Sequence, residues 1–307
     1  MPNGFLLIDK PVGLRSTECV AHVKRLLGKK NSDSRVGHAG TLDSTASGLL
    51  VVLLGSATRL SDYVMKLPKV YEATMRLGVA TDTCDASGSV VFRGDAENVN
   101  ERVLDRVLCS FLGMRMQRPP EISALKVGGR PSHKIARKGQ EVILEARPVF
   151  MPSVKRCSPI LDRRVRISVA CGKGTYIRAL VRDIGETLGC GAHVEELRRL
   201  STGPFNVSDA LIPENTTDLS DIPDRSLCSL RAIVSAFHRI VLTAEAERRL
   251  LSGLYVPMAK AGRYVPGSLE LRHGLCVEGA GMIGFADVIE DLILKPRVNI
   301  TGEHHDG

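Results

Sequence analysis

Hydrophobic and polar positions change period several times along this chain, and each change marks an element. Residues 5–8 form a short apolar run closed by Lys10-Pro11-Val12-Gly13, which predicts a strand ended by a turn. Val20, Val23, Leu26 and Leu27 then recur at helical spacing, with Ser16 or Thr17 placed to cap that helix. Lys24, Arg25, Lys29 and Lys30 gather at its far end, where cations suit the helix dipole as well as they suit an RNA-facing patch. Residues 49–54 are continuously apolar, as a buried strand requires. Residues 70–77 alternate instead: Tyr71, Ala73, Met75 and Leu77 face one way, and Glu72, Thr74 and Arg76 the other. A strand over 166–170 runs through Gly172-Lys173-Gly174-Thr175 into a helix with Ile177, Leu180, Val181, Ile184 and Leu188 on one face and Gly189 at its end.

Other stretches follow neither period. Residues 35–48 are small, polar and Gly-rich, and residues 81–88 form a polar turn. Residues 114–142 carry Pro119-Pro120, Gly128-Gly129 and many Lys and Arg, too long and too basic for a simple connection. Residues 213–230 are turn-rich and predict a linker, with a small β-rich unit over 241–300 beyond it.

Composition narrows the function classes. The chain has 307 residues, 43% hydrophobic and 25% charged, which suits a globular protein of two domains. No basic segment precedes the first short apolar run, and the run at 49–54 is far shorter than the ~20 residues that span a bilayer. A cytoplasmic protein is expected. The eight cysteines are dispersed with no C-x2-C pair, so buried free thiols are expected rather than a metal or redox site. The net charge of +8 points to a polyanionic partner, while 4% aromatic content with no Trp argues against an extended base-stacking platform.

Common nucleotide and nucleophile motifs are missing. Gly172-Lys173-Gly174-Thr175 has neither the order nor the spacing of a Walker loop, and the chain contains no G-x-S-x-G elbow and no G-x-G-x-x-G opening a helix. Lys173 ahead of a helix start still offers a place for an anion, or a tight turn with Thr175 as N-cap. Taken singly, Asp43 before Ser-Thr is more often a turn or capping residue than a catalyst, Tyr71 is a strand aromatic, and His38 is a lone histidine.

Their order changes that assessment. Gly37-His38-Ala39-Gly40-Thr41-Leu42-Asp43 with Ala46-Ser47-Gly48, then Lys69-Val70-Tyr71 with Arg76-Leu77-Gly78, resembles the bacterial tRNA pseudouridine synthase B family. Thr81-Asp82-Thr83-Cys84-Asp85 and residues 117–126 (QRPPEISALK) extend the resemblance. So do Lys173-Gly174-Thr175-Tyr176-Ile177-Arg178, Gly189-Cys190-Gly191-Ala192-His193 and Leu197-Arg198-Arg199-Leu200. These blocks span about residues 4–205 in family order. Ser44 stands where the family usually has Pro, Ser47 where it has Thr, and Ile122 where many members have Tyr. The segment ending Leu294-Lys295-Pro296-Arg297-Val298 is similar to a PUA domain.

The resemblance implies an α+β fold with a largely antiparallel central sheet flanked by helices. It implies a pseudouridine synthase catalytic domain over 1–230, carrying an RNA-clamping insertion at about 114–142, and a PUA-like RNA-binding domain over 241–300. It implies isomerisation of uridine 55 in the tRNA T loop with no cofactor and no metal. Asp43 matches the essential carboxylate, Arg178 the arginine that pairs with it, and Tyr71 the tyrosine that stacks on the flipped base and helps remove its C5 proton. Leu197 matches an apolar residue closing the pocket, and His38, beside the motif's Gly37 and close to Gly40, fills space left by opened T-loop pairing. Gly40, Lys173, Lys126 and Arg137 are expected to contact RNA, in a monomer needing no protein partner. Attack at C1′, attack at C6 and removal of a ribose proton all require the same carboxylate. Two other readings remain: a guided rRNA pseudouridylase, and a tRNA-binding or tRNA-folding protein with incidental catalysis.

Overall fold

The computed structural model describes residues 3–28, 35–121 and 144–301, and the backbone alone of 126–127 and 130–131. Lys29, Lys30, Ile122, Arg137 and the side chain of Lys126 lie outside that set. In chain order the elements are β1 (Gly4–Lys10), α1 (Ser16–Leu27), β2 (Val36–Ala39), β3 (Ala46–Leu54) and α2 (Ser61–Lys66). Next come β4 (Lys69–Leu77), β5 (Val79–Thr81), β6 (Val90–Arg93), α3 (Glu101–Ser110), β7 (Gly113–Gln117), β8 (Lys126–Val127) and β9 (Arg130–Pro131). They are followed by β10 (Arg147–Met151), β11 (Ser153–Arg156), β12 (Arg164–Cys171), α4 (Ile177–Thr187), β13 (Ala192–Thr202), β14 (Phe205–Asn206) and β15 (Leu227–Cys228). The last are β16 (Arg239–Leu242), α5 (Ala244–Leu251), β17 (Val256–Pro257), α6 (Met258–Ala261), β18 (Gly262–Val265), β19 (Leu275–Glu278), β20 (Met282–Ile289) and β21 (Ile293–Thr301).

The chain packs as two compact units, one of residues 1–44, 48–67 and 201–307 and the other of residues 45–47 and 68–200. In the first, β3 pairs antiparallel with β1 and with β2, and β1 takes β15 on its other edge through Phe5↔Cys228. Both faces of β1 and β3 are covered. Leu6, Ile8, Leu50, Val52 and Leu54 meet Cys19, Val23 and Leu27 of α1. Phe5, Leu7, Leu49, Val51 and Leu53 meet Leu60, Val64, Phe205 and Phe285 on the other side. A strand buried on both faces needs apolar side chains at every position, which explains the unbroken run at 49–54.

Residues 213–230 are not the expected linker. They form three short 3-10 turns and strand β15 at the sheet edge, and Leu230 is buried in the same core. The β-rich C-terminal part holds a six-stranded sheet in the order β17-β21-β20-β19-β16-β18, antiparallel except where β16 meets β19. Phe285 on β20 stacks on Tyr63 of α2 with ring centroids 3.5 Å apart and meets Phe237 edge-on.

In the second unit the sheet runs β11-β12-β4-β13, with β4 and β12 antiparallel from Lys69↔Cys171 to Arg76↔Arg164. Tyr71, Ala73, Met75 and Leu77 are buried and the intervening residues half-buried, the alternation the sequence predicted. Helix α4 packs against β4 and buries Ile177, Leu180, Val181 and Ile184. The architecture is the mixed α/β, largely antiparallel one that the resemblance implies, with a β-rich C-terminal domain. No helix among the described residues is long and apolar enough to cross a membrane.

Candidate active site

Asp43 lies in the first unit, exposed, on the loop that leaves β2. Gly40 makes the exit with φ +90°, a conformation that side chains with a Cβ rarely adopt. Two contacts from the β1–α1 turn then fix the loop. Ser16 Oγ accepts the Leu42 N–H at 2.9 Å and donates to the Leu42 carbonyl at 3.0 Å, and Gly13 N–H donates to the Ser44 carbonyl at 2.7 Å. The residues on either side of Asp43 are therefore held by their backbones, and Leu42 is itself buried.

This differs from the capping role expected of Ser16 or Thr17. The N-cap of α1 is Arg15, whose N–H donates to the Glu18 carboxylate at 2.7 Å, and Ser16 is buried as the first helical residue. Lys10, fully buried at the end of β1, braces the same turn with bonds of 2.8 Å from Nζ to the Pro11 and Leu14 carbonyls. His38 sits half-buried on β2 opposite Val52.

Tyr71 and Arg178 lie in the second unit. Tyr71 is on β4, 9% exposed and opposite Val169 of β12. Arg178 is the second residue of α4 and only 6% exposed. Its Nη1 donates to the Thr83 carbonyl at 2.9 Å and pairs with Asp85 Oδ2 at 3.4 Å. Asp85 is equally buried and well supplied with donors. Thr83 Oγ1 reaches it at 2.7 Å, the Ser87 N–H at 3.0 Å, the Ser87 hydroxyl at 2.5 Å and the Thr45 hydroxyl at 3.4 Å.

Burial alone would raise the Asp85 pKa. The Ser87 and Thr83 hydroxyls, the Ser87 N–H and the Arg178 charge together outweigh it and hold the carboxyl below its ordinary 3.8. Separating a buried cation from an ionised, hydrogen-bonded carboxylate leaves a buried charge uncompensated, which favours keeping the pair. The 81–88 turn is thus a seat for Arg178, a role that sequence reasoning did not give Asp85. The available signal was an Asp with Thr and Ser two residues to either side, the pattern of a self-bonded turn.

The remaining expected residues are spread over the second unit. Leu197 is half-buried on β13, and Lys173 is exposed ahead of α4. The N-cap of α4 is Tyr176 rather than Thr175, whose hydroxyl instead closes the preceding turn onto the Gly172 carbonyl at 3.1 Å. Lys69, opposite Cys171, is buried. Desolvation, with the Arg199 charge adding to it, pushes its ammonium down from 10.5 to about 7.

With this geometry in place, the comparisons with known proteins are specific. Residues 24–177 match the N-terminal domain of the TruB family pseudouridylate synthases, and residues 178–242 match the tRNA pseudouridylate synthase B C-terminal domain. The chain belongs to the TruB family. It is 40% identical over 278 residues to tRNA pseudouridine synthase B of Geobacter sulfurreducens, covering 88% of this chain and 89% of that one. It is 37% identical over 301 residues to the protein of the same name from Burkholderia mallei, covering 98% of each. Among solved structures it matches a chain of the Cbf5-Nop10-Gar1 complex with a TM-score of 0.73 and 26% identity, over 97% of this chain and 84% of that one. A chain of the archaeal box H/ACA Nop10-Cbf5 complex, 23% identical with a TM-score of 0.69, shares the fold. As a TruB-family pseudouridylate synthase, the protein is an isomerase.

Proposed function

We propose that this isomerase converts uridine 55 in the T loop of tRNA to pseudouridine. The observation that carries the proposal is the identity of 37–40%, over nearly the whole length, to proteins named tRNA pseudouridine synthase B. In the reaction the C1′–N1 bond of the nucleotide breaks, the uracil turns within the pocket and a C1′–C5 bond forms. The C5 proton leaves and N1 ends protonated, so no redox change accompanies the exchange.

Asp43 acts as the carboxylate that makes the glycosidic bond labile, and Arg178 pairs with it and orients it. A guanidinium supplies fixed donors that orient a nearby carboxylate. The pinned backbone around Asp43 and the Asp85 seat of Arg178 support this reading, because both charged groups start from defined positions. Tyr71 stacks on the flipped base and helps remove the C5 proton, and Leu197 closes the pocket. Flipping costs a few kcal/mol, and one aromatic stack returns about 1–3 kcal/mol. Hydrogen bonds to the base edge and phosphate contacts supply the rest, the latter from the basic segment 114–142 with Lys126 and Arg137, from Lys173, and from the PUA-like C-terminal part. His38 and Gly40 lie against the opened T loop. The enzyme acts as a monomer, without a protein partner, in the cytoplasm.

The test is to map pseudouridine in unmodified tRNA incubated with the purified protein alone. Conversion at position 55, without added RNA or protein, supports the proposal. Conversion only with a guide RNA and partner proteins would favour the guided rRNA reading. Tight binding without conversion would favour the folding-protein reading.

A further inference from the structure

A second reciprocal clamp lies at the start of α4. The Gln117 side chain, 4% exposed at the end of β7, donates from Nε2 to the Tyr176 carbonyl at 3.1 Å and accepts the Tyr176 N–H on Oε1 at 2.9 Å. Tyr176 is the N-cap residue of α4, and its side chain makes no capping bond to the helix. Its carbonyl also accepts the Leu180 N–H at 3.0 Å, the first bond of the helical ladder. Gln117 thus pairs with Tyr176 as a neighbouring strand would. A carboxamide donates and accepts through two separate atoms without bringing a charge. One turn further on, Arg182 Nη2 donates to the Arg118 carbonyl at 2.9 Å, so the end of β7 is tied to α4 at two points.

We infer that Gln117 is a positioning residue for Arg178. Arg178 follows Tyr176 by two residues, and its guanidinium reaches Thr83 and Asp85 from this first turn. The first N–H groups of a helix have no partner within it, so the first turn is where a helix frays most readily. Gln117 satisfies one such group and the adjoining carbonyl together. Without it the half-buried Tyr176 N–H loses this acceptor, and the turn relaxes toward other donors and acceptors. The guanidinium then moves with the turn, and a displacement near 1 Å is enough to lower a rate by about a hundredfold. The inference rests on the catalytic reading of Arg178 given above.

The experiment measures single-turnover pseudouridine formation at saturating tRNA, tRNA affinity and thermal melting for Gln117→Met and Gln117→Glu. Methionine keeps the length and removes both bonds. Glutamate keeps the acceptor for the Tyr176 N–H and loses the donor. A positioning role predicts that Gln117→Met slows the single-turnover rate by about tenfold to a hundredfold. Gln117→Glu should also slow it, and tRNA affinity in both should stay within about threefold. If Gln117→Met gives no cooperative melt, Gln117→Glu carries the test alone. Rates within about threefold of wild type, or an affinity loss matching the rate loss, overturn the inference. Arg178→Ala is measured in parallel. Wild-type turnover by that variant defeats the reading of Arg178 itself, whereas an inactive Arg178→Ala beside fully active Gln117 variants defeats only the role of Gln117.

Discussion

Ser16 and Leu42 hold each other through both backbone polar groups of Leu42, 26 residues apart in sequence and immediately before Asp43. The hydroxyl does this from inside the protein, where Leu42 has no water to turn to. Removing it leaves a buried N–H and a buried carbonyl unmet, at a cost of about 1–3 kcal/mol. Ser16→Ala should therefore lower the melting temperature and slow turnover at saturating tRNA by about tenfold or more, since Asp43 loses its fixed backbone. Unchanged single-turnover kinetics in a destabilised Ser16→Ala protein would show that the clamp serves stability alone.

Asp85 is expected to matter both to catalysis and to acid stability. Asp85→Asn removes the charge opposite Arg178, and turnover should fall while tRNA binding is largely kept. The pH dependence has a definite sign. The folded-state pKa lies below the ordinary 3.8, so the carboxylate's contribution is complete above that value. It is lost as the pH falls through the lower, folded-state value. Denaturation of the wild type and Asp85→Asn at pH 6 and near pH 3 should show the wild type losing ground to the variant in acid. A constant difference would contradict the assignment.

Lys69 gives the opposite case for a cation. The unfolded chain holds this proton up to about 10.5, and the folded protein releases it near 7. Folding is thus penalised in full below pH 7, and the penalty shrinks as the pH climbs through that interval. Chemical denaturation at pH 7 and pH 9 should show the wild type gaining stability relative to Lys69→Met, and parallel behaviour would refute the shifted pKa.

Tyr71 separates stacking from proton transfer. Tyr71→Phe keeps the ring on the buried face of β4 and removes only the hydroxyl. General acid–base assistance is typically worth about 10²–10⁴ in rate. Tyr71→Phe should accordingly bind tRNA within a few-fold of wild type and turn over at least about a hundredfold more slowly. Near-normal turnover would confine Tyr71 to stacking.

The β4 strand was legible because one of its faces is buried and the other half-exposed, which leaves a period of two in the sequence. The β3 run was legible for the opposite reason, burial on both faces. Asp43 and Tyr71 each have a structural explanation alone, and only their order with Arg178 made them candidates. Their supports were hidden because they are non-local. Asp85 is 93 residues from Arg178, Gln117 is 59 from Tyr176, and Ser16 presents as a helix cap until Leu42 is found beside it. Strand β15 was missed because two residues in a turn-rich stretch show no periodicity, and only pairing with β1 makes them a strand.

The basic stretch 114–142 is expected to act through charge. Deleting residues 118–138 should weaken tRNA binding and flatten its dependence on salt, because fewer counterions are released per complex. A salt slope equal to that of the wild type would rule out an electrostatic role.

The central claim is that Asp43 is the carboxylate of a uridine isomerase. Its most direct test is tritium release from 5-tritiated uridine in tRNA by Asp43→Asn, with tRNA binding measured on the same preparation. The expected result is no release above background with binding largely intact. Substantial release by Asp43→Asn would contradict it.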